Sequence, residues 1–333
     1  INLMNSQERM QFGKDLCDLH YVFPQYMPMV GYEGAYHRYQ TGQTTYDEFM
    51  NEVKWYETVN TDWFDILCKD ALTQSHTVSL SGGNQKTRYY ASLGYTDEQS
   101  TIRTEYVKRY TAAMNLSTTF SSKLRLSMRM NANVQKKNHL PSEVNLLNYA
   151  YETPRALPAY NEDGSLFYYK KKAYGIGDGK NTYQYNIFNE ANNSSSDYSG
   201  NTINASLQLN YKLFPFLDLS LSANYGRSAT DQATWFGENT NYAAILKNGE
   251  VKDIPQTGQS GLCEMPYGGV LNTTNTITEN ATGRLQINFR KDVAHGSLVT
   301  ALAGFEASTY TSNGISDQTR GYYKDRGMQY ADL

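Results

Sequence analysis

The stretch HTVSLSGGNQKTRYYASLGYTD, residues 76–97, combines two alternating strands with a tight Gly-Gly-Asn turn. Because successive side chains of a strand point to opposite faces, each strand carries one apolar and one polar surface. The apolar surface consists of Val78, Leu80, Tyr89, Ala91, Leu93 and Tyr95, and the polar surface mostly of Ser79, Ser81, Arg88, Ser92 and Thr96. In a soluble sandwich the apolar face contacts a second sheet, whereas in a membrane barrel it contacts lipid.

The same alternation recurs along the 333 residues and predicts eight strands in all. These strands lie near residues 74–82, 87–97, 105–120, 124–138, 199–213, 217–231, 277–291 and 296–312. In the fourth strand, apolar residues alternate almost without interruption with Arg125, Ser127 and Arg129. Arginines at this spacing are very costly against a soluble core, but they suit the water-filled side of a barrel wall.

The connections between these strands differ in length at the two ends. Short turns lie near residues 82–86, 121–123, 213–216 and 291–295, whereas long segments occupy residues 139–198 and 232–276. Outer-membrane barrels combine short periplasmic turns with long extracellular loops, although soluble sandwiches also mix loop lengths. For residues 61–333 we therefore predict an all-β segment of an antiparallel transmembrane barrel, with about eight strands of a larger barrel and long extracellular loops.

Residues 1–60 have a helical pattern instead. Asn5 stands three residues before Glu8, and Thr45 stands three residues before Glu48, and each pair precedes apolar residues at helical spacing. These are capping boxes, which predict two short amphipathic helices joined by a Tyr-, Pro- and Gly-rich connector. We expect a helical extracellular loop insertion that lies outside the lumen and runs directly into the first strand at residues 62–64.

Charge and composition exclude several classes of function. A net charge of −3 provides no electrostatic basis for binding nucleic acid. The five histidines are scattered, no His or Cys pair has metal-ligand spacing, and no nucleophile with its base is recognisable. The glycine spacing before Lys86 does not fit a phosphate-binding loop. We therefore expect no catalytic residues, no metal, no cofactor and no enzymatic activity.

The long segments contain aromatic residues interleaved with Lys and Asn. Aromatic faces can stack on sugar rings or peptide side chains while Asn and Lys donate hydrogen bonds. Packing of the loops against one another is the alternative role for these residues. The candidate substrate-binding residues are Tyr168, Tyr169, Tyr174, Tyr183, Tyr185, Trp235, Phe236 and Tyr242.

Two runs, NTDWFDILCKDALTQSHTVSLSGGNQKTRYYASLGYTDEQ and LMNSQERMQFGKDL, resemble the SusC/RagA branch of TonB-dependent outer-membrane transporters. The run PAYNEDGSL, residues 158–166, is similar to a loop element of that family. The resemblance implies that residues 60–64 enter the barrel wall and that residues 81–84 form a short periplasmic hairpin. It also implies that the chain is a middle segment of the family barrel.

The resemblance further implies that this chain is part of a nutrient importer in the outer membrane of a Gram-negative, Bacteroidetes-like cell. The implied cargo is an oligosaccharide or an oligopeptide. The implied partners are a SusD-like surface lipoprotein, outer-membrane lipid, and a TonB-type energy-transducing protein that acts through a plug domain outside this chain. One alternative is a self-standing eight-stranded outer-membrane barrel that binds a ligand or a cell surface, and another is a secreted β-rich hydrolase. We expect residues 1–333 alone not to close into a stable barrel, because unpaired strand edges are costly in lipid.

The alternation predicts which residues of the fourth strand face lipid. Leu124, Leu126, Met128 and Met130 share the apolar face, and Arg125, Arg129 and Asn131 share the opposite one. Nitroxide spin labels at the first set are expected to be accessible to oxygen dissolved in the bilayer, and labels at the second set are not. The reverse pattern of accessibility would show that the register is wrong by one residue.

Overall fold

The computed structural model describes residues 3–23, 30–172, 182–246, 265, 267–293 and 296–330. The helices are α1 (Ser6–Asp18), α2 (Gly31–Gln40), α3 (Tyr46–Val59), α4 (Trp63–Leu67), α5 (Leu146–Glu152), α6 (Ile187–Asn192) and α7 (Asn241–Leu246). The long strands are β1 (Thr73–Gly83), β2 (Thr87–Gln99), β3 (Tyr106–Ser121), β4 (Leu124–His139), β7 (Ser194–Phe214), β8 (Leu217–Phe236), β9 (Gly269–Val293) and β10 (Ser297–Tyr323). The short strands are β5 (Tyr169–Lys172), β6 (Thr182–Tyr185) and β11 (Gln329–Tyr330).

The eight long strands form one continuous antiparallel sheet, to which β11 adds a ninth strand. The strand order is β1-β2-β3-β4-β7-β8-β9-β10-β11, so each long strand pairs with its neighbours in sequence, and β5 and β6 form a separate pair. The predicted fold class is confirmed. The structure extends β9 back to Gly269 and β10 forward to Tyr323, well beyond the predicted ends. Polar residues make up most of these extensions, where the apolar alternation fades although backbone pairing continues.

The strand register brings the apolar positions of neighbouring strands into common rows. One row crosses five strands through Leu126, Leu209, Leu221, Leu285 and Phe305. On β4 the apolar positions extend from Leu124 to Val134, about 33 Å along an extended strand. With the strand tilt of membrane barrels, this length corresponds to an apolar belt about 25 Å high, the height of the lipid-facing band of such barrels.

Exposed and half-buried aromatic rings border this belt at both ends. At the short-turn end, Phe214 and Phe216 stack with ring centroids 5.5 Å apart, and Phe289 contacts Phe216 edge-on at 5.7 Å. At the other end, Tyr95 and Tyr110 lie in one row with centroids 5.0 Å apart. Membrane barrels carry aromatic girdles at both interfaces, so the apolar belt has the boundaries of a lipid-facing surface.

The two predicted capping boxes are both present in the helical segment. The Asn5 side chain accepts the backbone N–H of Glu8 at 2.8 Å, and the Thr45 hydroxyl accepts that of Glu48 at 3.3 Å. Each glutamate in turn accepts the backbone N–H of its partner. No helix in the described part of the chain has both the length and the apolar character needed to cross a membrane.

The expectations for the connector and for a direct entry into a strand at residues 62–64 are wrong, whereas the strand predicted near residues 74–82 matches β1. The connector contains α2, and residues 63–67 form α4, so β1 begins only at Thr73. The Asp62 side chain caps α4 by accepting the backbone N–H groups of Phe64 at 3.1 Å and Asp65 at 3.3 Å. An aspartate at this position satisfies amide groups that lack a partner within the helix, which favours a helix over a strand here.

The turn between β1 and β2 depends on Gly83. Its φ angle is +149°, and a Cβ atom built on it would lie 2.2 Å from the backbone oxygen of Thr87. The Asn84 side chain completes the turn by accepting the N–H groups of Lys86 and Thr87, both at 2.8 Å. Among residues 82–84, only Gly83 has a positive φ angle.

We expect Gly83→Ala to destabilise the β1–β2 hairpin by about 1–3 kcal/mol, because the backbone must shift to relieve the clash. Gly283→Ala on the apolar belt is the matched control, since a Cβ there meets nothing within 4 Å. Heat-modifiable mobility of the folded full-length protein in gel electrophoresis measures the difference. Equal folded fractions for both variants would contradict the role of Gly83.

Candidate functional site

The polar face of the sheet has a wall of hydroxyl and amide groups across β7–β10. One row runs through Thr202, Ser228, Thr278 and Ser312. Hydroxyl pairs in this row, Thr202–Ser228 and Thr278–Ser312, are both 3.3 Å apart. Neutral hydroxyl groups exchange hydrogen bonds with water and with many solutes. This face therefore has the chemistry of a hydrated barrel lumen.

The long connections gather at the opposite end from the short turns and form what we call the loop platform, residues 140–172, 182–193 and 237–246. Its centre is aromatic: the Trp63 ring meets Tyr149 edge-on at 5.0 Å, and Tyr149 stacks with Tyr185 at 6.0 Å. Tyr169 contacts Tyr185 at 5.8 Å. Burial raises the pKa of Tyr149 to about 12 and those of Tyr169 and Tyr185 further, so all three phenols stay neutral.

Asn186 joins two parts of the platform through four hydrogen bonds. Its side chain is buried, and its amide nitrogen donates to the backbone oxygens of Ala159 at 3.1 Å and Phe167 at 2.8 Å. Its amide oxygen accepts the N–H groups of Phe188 at 2.9 Å and Asn189 at 3.3 Å and thereby caps α6. The buried amide nitrogen thus has two acceptors and the amide oxygen has two donors. Asn186 therefore holds α6 in place.

Glu190 connects the two long loops. Its carboxylate is 3% exposed and accepts the backbone N–H of Asn241 at 2.9 and 3.1 Å, at the start of α7. The side-chain amide of Asn189 donates to Glu190 at 3.0 Å and to the backbone oxygen of Asn239 at 2.9 Å. A carboxylate supplied from α6 therefore caps α7, which favours a fixed arrangement of the two loops.

The helical segment docks on the same platform. Arg155 forms an ion pair with Asp62, and its backbone oxygen accepts the N–H of Thr61 at 2.8 Å. The indole N–H of Trp63 donates to the backbone oxygen of Pro154 at 3.2 Å. The NTDWF run thus anchors the helices to the loops, and the expectation that it enters the barrel wall is wrong.

The predicted substrate-binding aromatics lie in different environments. Tyr168 is exposed, at 44%, whereas Tyr185 and Phe236 are buried and Tyr169 packs against the aromatic core. Trp235 is also buried, and the ammonium group of Lys324 lies 4.4 Å from the centroid of its ring. Tyr242 stacks on Phe236 with centroids 4.0 Å apart.

Two of the predicted aromatics are outside what the structure describes. Tyr174 lies beyond the described residues, and for Tyr183 only the backbone is described. Substrate contact by the eight aromatics stays a prediction, and Tyr168 is the member whose exposure best suits it. Sequence reasoning missed Asn186 and Glu190. Asn186 is the local N-cap of α6, but its contacts with Ala159 and Phe167, like the contact of Glu190 with Asn241, join distant parts of the chain and have no local sequence pattern. It also missed the exposed Tyr151 and Tyr160, which lie on the same platform.

Comparison with known proteins gives two curated relatives. The chain is 23% identical over 267 residues to a TonB-dependent receptor of Formosa agariphila, which covers 80% of this chain and 24% of that protein. It is 41% identical over 63 residues to the TonB-dependent receptor SusC of Bacteroides thetaiotaomicron, which covers 19% of this chain and 6% of that protein. The chain is similar to the SusC-type TonB-dependent receptors. No family model matches it.

Solved structures show the same fold. The RagAB peptide transporter matches 98% of this SusC-like chain with a TM-score of 0.64 at 16% identity, and 34% of the matched transporter chain is covered. The closed-closed and open-open states of the RagAB peptide importer match with TM-scores of 0.62 and 0.61. The chain spans about a quarter of the first curated relative and about a third of the matched transporter chain.

We expect Glu190→Ala to release α7 from α6, because the backbone N–H of Asn241 loses its acceptor, at a cost of about 1–3 kcal/mol, and the Asn189 amide loses one of its two acceptors. Hydrogen exchange measured by mass spectrometry is expected to become faster in residues 237–246. Glu162→Ala, an exposed glutamate of the same platform, is the control and is expected to leave that exchange unchanged. Unaltered protection in Glu190→Ala would exclude the carboxylate as the link between the loops.

Proposed function

We propose that this chain forms part of the wall and outer mouth of a TonB-dependent importer of the SusC type in the outer membrane of a Bacteroidetes-like bacterium. The observation that carries the proposal is the two-faced sheet. One face has an apolar belt of membrane height between aromatic borders, and the other has a wall of hydroxyl and amide groups. A sheet with these two surfaces separates lipid from a hydrated passage.

The proposed cargo is an oligopeptide or an oligosaccharide. The structural similarity to proteins named as the RagAB peptide transporter favours peptides, and glycans stay in consideration because the sequence resemblance implies either class. The hydroxyl and amide wall can exchange hydrogen bonds with either class, because both present donors and acceptors along their length.

The proposed partners are a SusD-like surface lipoprotein at the loop platform and a TonB-type protein that acts through a plug domain outside this chain. The platform is a rigid surface at the end where the long loops gather, since buried side chains from Asn186 and Glu190 tie its parts together. A rigid, aromatic-bearing rim is a suitable contact surface for a lid and for cargo.

Uptake in cells tests the importer assignment. Cells that carry the full-length receptor are expected to import fluorescently labelled oligopeptides or oligosaccharides, and import is expected to stop when the gene is deleted or when an ionophore dissipates the proton gradient. Membrane fractionation is expected to recover the receptor with the outer membrane. Recovery in the soluble fraction, or import that persists after deletion, would refute the assignment.

A second arm of this experiment tests the exposed aromatic of the platform. Tyr168→Ala is expected to raise the cargo concentration at half-maximal uptake about 5- to 30-fold, the range for loss of an aromatic contact residue. Tyr46→Ala is the matched control, because Tyr46 is also exposed but lies on α3, outside the platform. Equal uptake by both variants would remove Tyr168 from the cargo path.

A further inference from the structure

A shallow groove interrupts the apolar belt on the lipid-facing side of β7–β10, and we call it the belt groove. Its volume is about 650 Å³. Its floor is one row across the sheet, in which Ala223 lies opposite Gly283 and Gly283 lies opposite Ala307. A Cβ atom built on Gly283 meets nothing within 4 Å. The belt groove is therefore open space on the face that contacts lipid.

Larger apolar side chains border the belt groove. On the short-turn side the next row contains the exposed side chains of Leu221, Leu285 and Phe305. Towards β4, the groove ends at Leu207 and Met128, which lie opposite each other. Walls and a floor of this kind offer a hydrocarbon chain dispersion contacts on more than one side, which a flat wall does not.

A polar cluster lies on the same face, directly on the loop side of the belt groove. Arg227 and Glu279 lie opposite each other, two rows beyond the groove floor. The Nε of Arg227 donates to a carboxylate oxygen of Glu279 at 3.1 Å, and the hydroxyl of Tyr225 donates to the same oxygen at 3.3 Å. Tyr225 also lines the groove, so it joins the apolar and polar parts.

The charged groups of the polar cluster keep hydrogen-bonding capacity for a further partner. Arg227 is 44% and Glu279 is 48% exposed. Among the described residues, the two terminal nitrogens of Arg227 and the second carboxylate oxygen of Glu279 have no partner. One donor pair and one acceptor thus lie side by side on the outward surface.

The height of the polar cluster corresponds to the level of lipid head groups. Arg227 lies ten residues beyond Leu217, the first residue of β8. This separation is about 33 Å along an extended strand and about 25 Å in height at the tilt of membrane barrels. Charged side chains on the lipid face are costly at the membrane midplane and cost little at its borders. The groove therefore lies at the level of acyl chains, and the cluster lies at the level of head groups.

The charges of the polar cluster complement a zwitterionic head group. A guanidinium group binds phosphate through paired, charge-assisted hydrogen bonds, and a carboxylate accepts hydrogen bonds from an ammonium group. Phosphoethanolamine carries both groups. A phosphocholine head has no ammonium N–H to donate to Glu279, and a phosphoglycerol head brings its negative charge beside Glu279 without a cation.

The size of the belt groove favours a lipid over a second protein. Its floor spans three strand spacings, about 14 Å, and the rows on either side are about 7 Å away, which gives a footprint of the order of 100 Å². A stable interface with another protein covers about 800 Å² of each partner. An acyl chain needs only a narrow apolar strip.

We propose that the belt groove and the polar cluster together bind one phospholipid with a phosphoethanolamine head group. Its phosphate accepts hydrogen bonds from Arg227, its ammonium group donates to Glu279, and one acyl chain lies over Gly283. This inference rests on the proposed place of the sheet in the outer membrane, and it adds a lipid site to the importer.

The test uses the full-length receptor in detergent and native mass spectrometry. The probes are phosphatidylethanolamine, phosphatidylcholine and phosphatidylglycerol with identical acyl chains. We expect the first to reach half-saturation at about tenfold lower concentration than the other two, because it alone satisfies both charged groups. Soluble O-phosphoethanolamine is expected not to displace it. Displacement by this free head group would overturn the role of the groove.

The double variant Arg227→Gln/Glu279→Gln is expected to lose the preference among the three lipids. Arg284→Gln/Glu306→Gln is the matched control, because that pair joins β9 and β10 on the opposite, polar face, and it is expected to keep the preference. Should the double variant fail to fold, Glu279→Gln alone is expected to abolish the discrimination between the ethanolamine and choline lipids.

A second variant tests the groove itself. Gly283→Leu fills the floor and is expected to weaken binding of phosphatidylethanolamine about tenfold. Ala301→Leu is the matched control, because Ala301 shares the lipid-facing side but lies opposite Phe289 near the short turns, outside the groove. Equal binding by both variants would overturn the placement of the acyl chain.

Four further outcomes would overturn the proposal. They are equal binding of the three lipids by the unaltered receptor, tighter binding of phosphatidylglycerol, a preference that survives in the double variant, and a receptor dimer that Gly283→Leu dissociates, which would assign the groove to a second copy. Any of these in a receptor that still imports cargo in cells would leave the importer function standing. Recovery of the receptor in the soluble fraction would refute both.

Discussion

Backbone hydrogen bonding between neighbouring strands is the constraint on which the rest of this structure depends. Lipid offers no partner for an N–H or C=O group, so a wall that faces lipid must pair its backbone from strand to strand. The antiparallel register from β1 to β10 does this, with shifts near strand ends only. Because the register is continuous, Leu126, Leu209 and Leu221 align on one face and the hydroxyl wall on the other, so both functional surfaces follow from the same pairing.

The loop platform holds the long loops rigidly beyond the point where the backbone pairing between strands ends. Its parts are joined by buried polar side chains that substitute for strand hydrogen bonds: Asn186 binds four backbone groups, and Glu190 caps a helix of the other loop. The aromatic core around Trp63 and Tyr149 excludes water from these contacts. Buried hydrogen bonds in such surroundings are costly to break, so the platform forms a firm rim at the long-loop end of the sheet.

The similarity to the RagAB structures persists at 16% identity because the fold depends on the alternation of apolar and polar residues along the strands. A lipid-facing position accepts Leu, Met, Ala or Phe, and a lumen-facing position accepts Ser, Thr, Asn or Arg, provided that the alternation is kept. The residues on either face can therefore change without loss of the fold, as long as the alternation is kept.

The sequence by itself determined the features that depend on local periodicity and capping. The alternation around Met128 and Arg129 predicts the two faces of β4, and the capping boxes at Asn5 and Thr45 predict α1 and α3. Only the tertiary structure decided that Asp62 caps a helix, that Tyr185 and Phe236 are buried, and that Arg88 lies near Arg129. Periodicity depends on neighbours along the chain. Burial and the clustering of charges depend on which distant strands and loops meet, and strand pairing and packing across the whole sheet decide that.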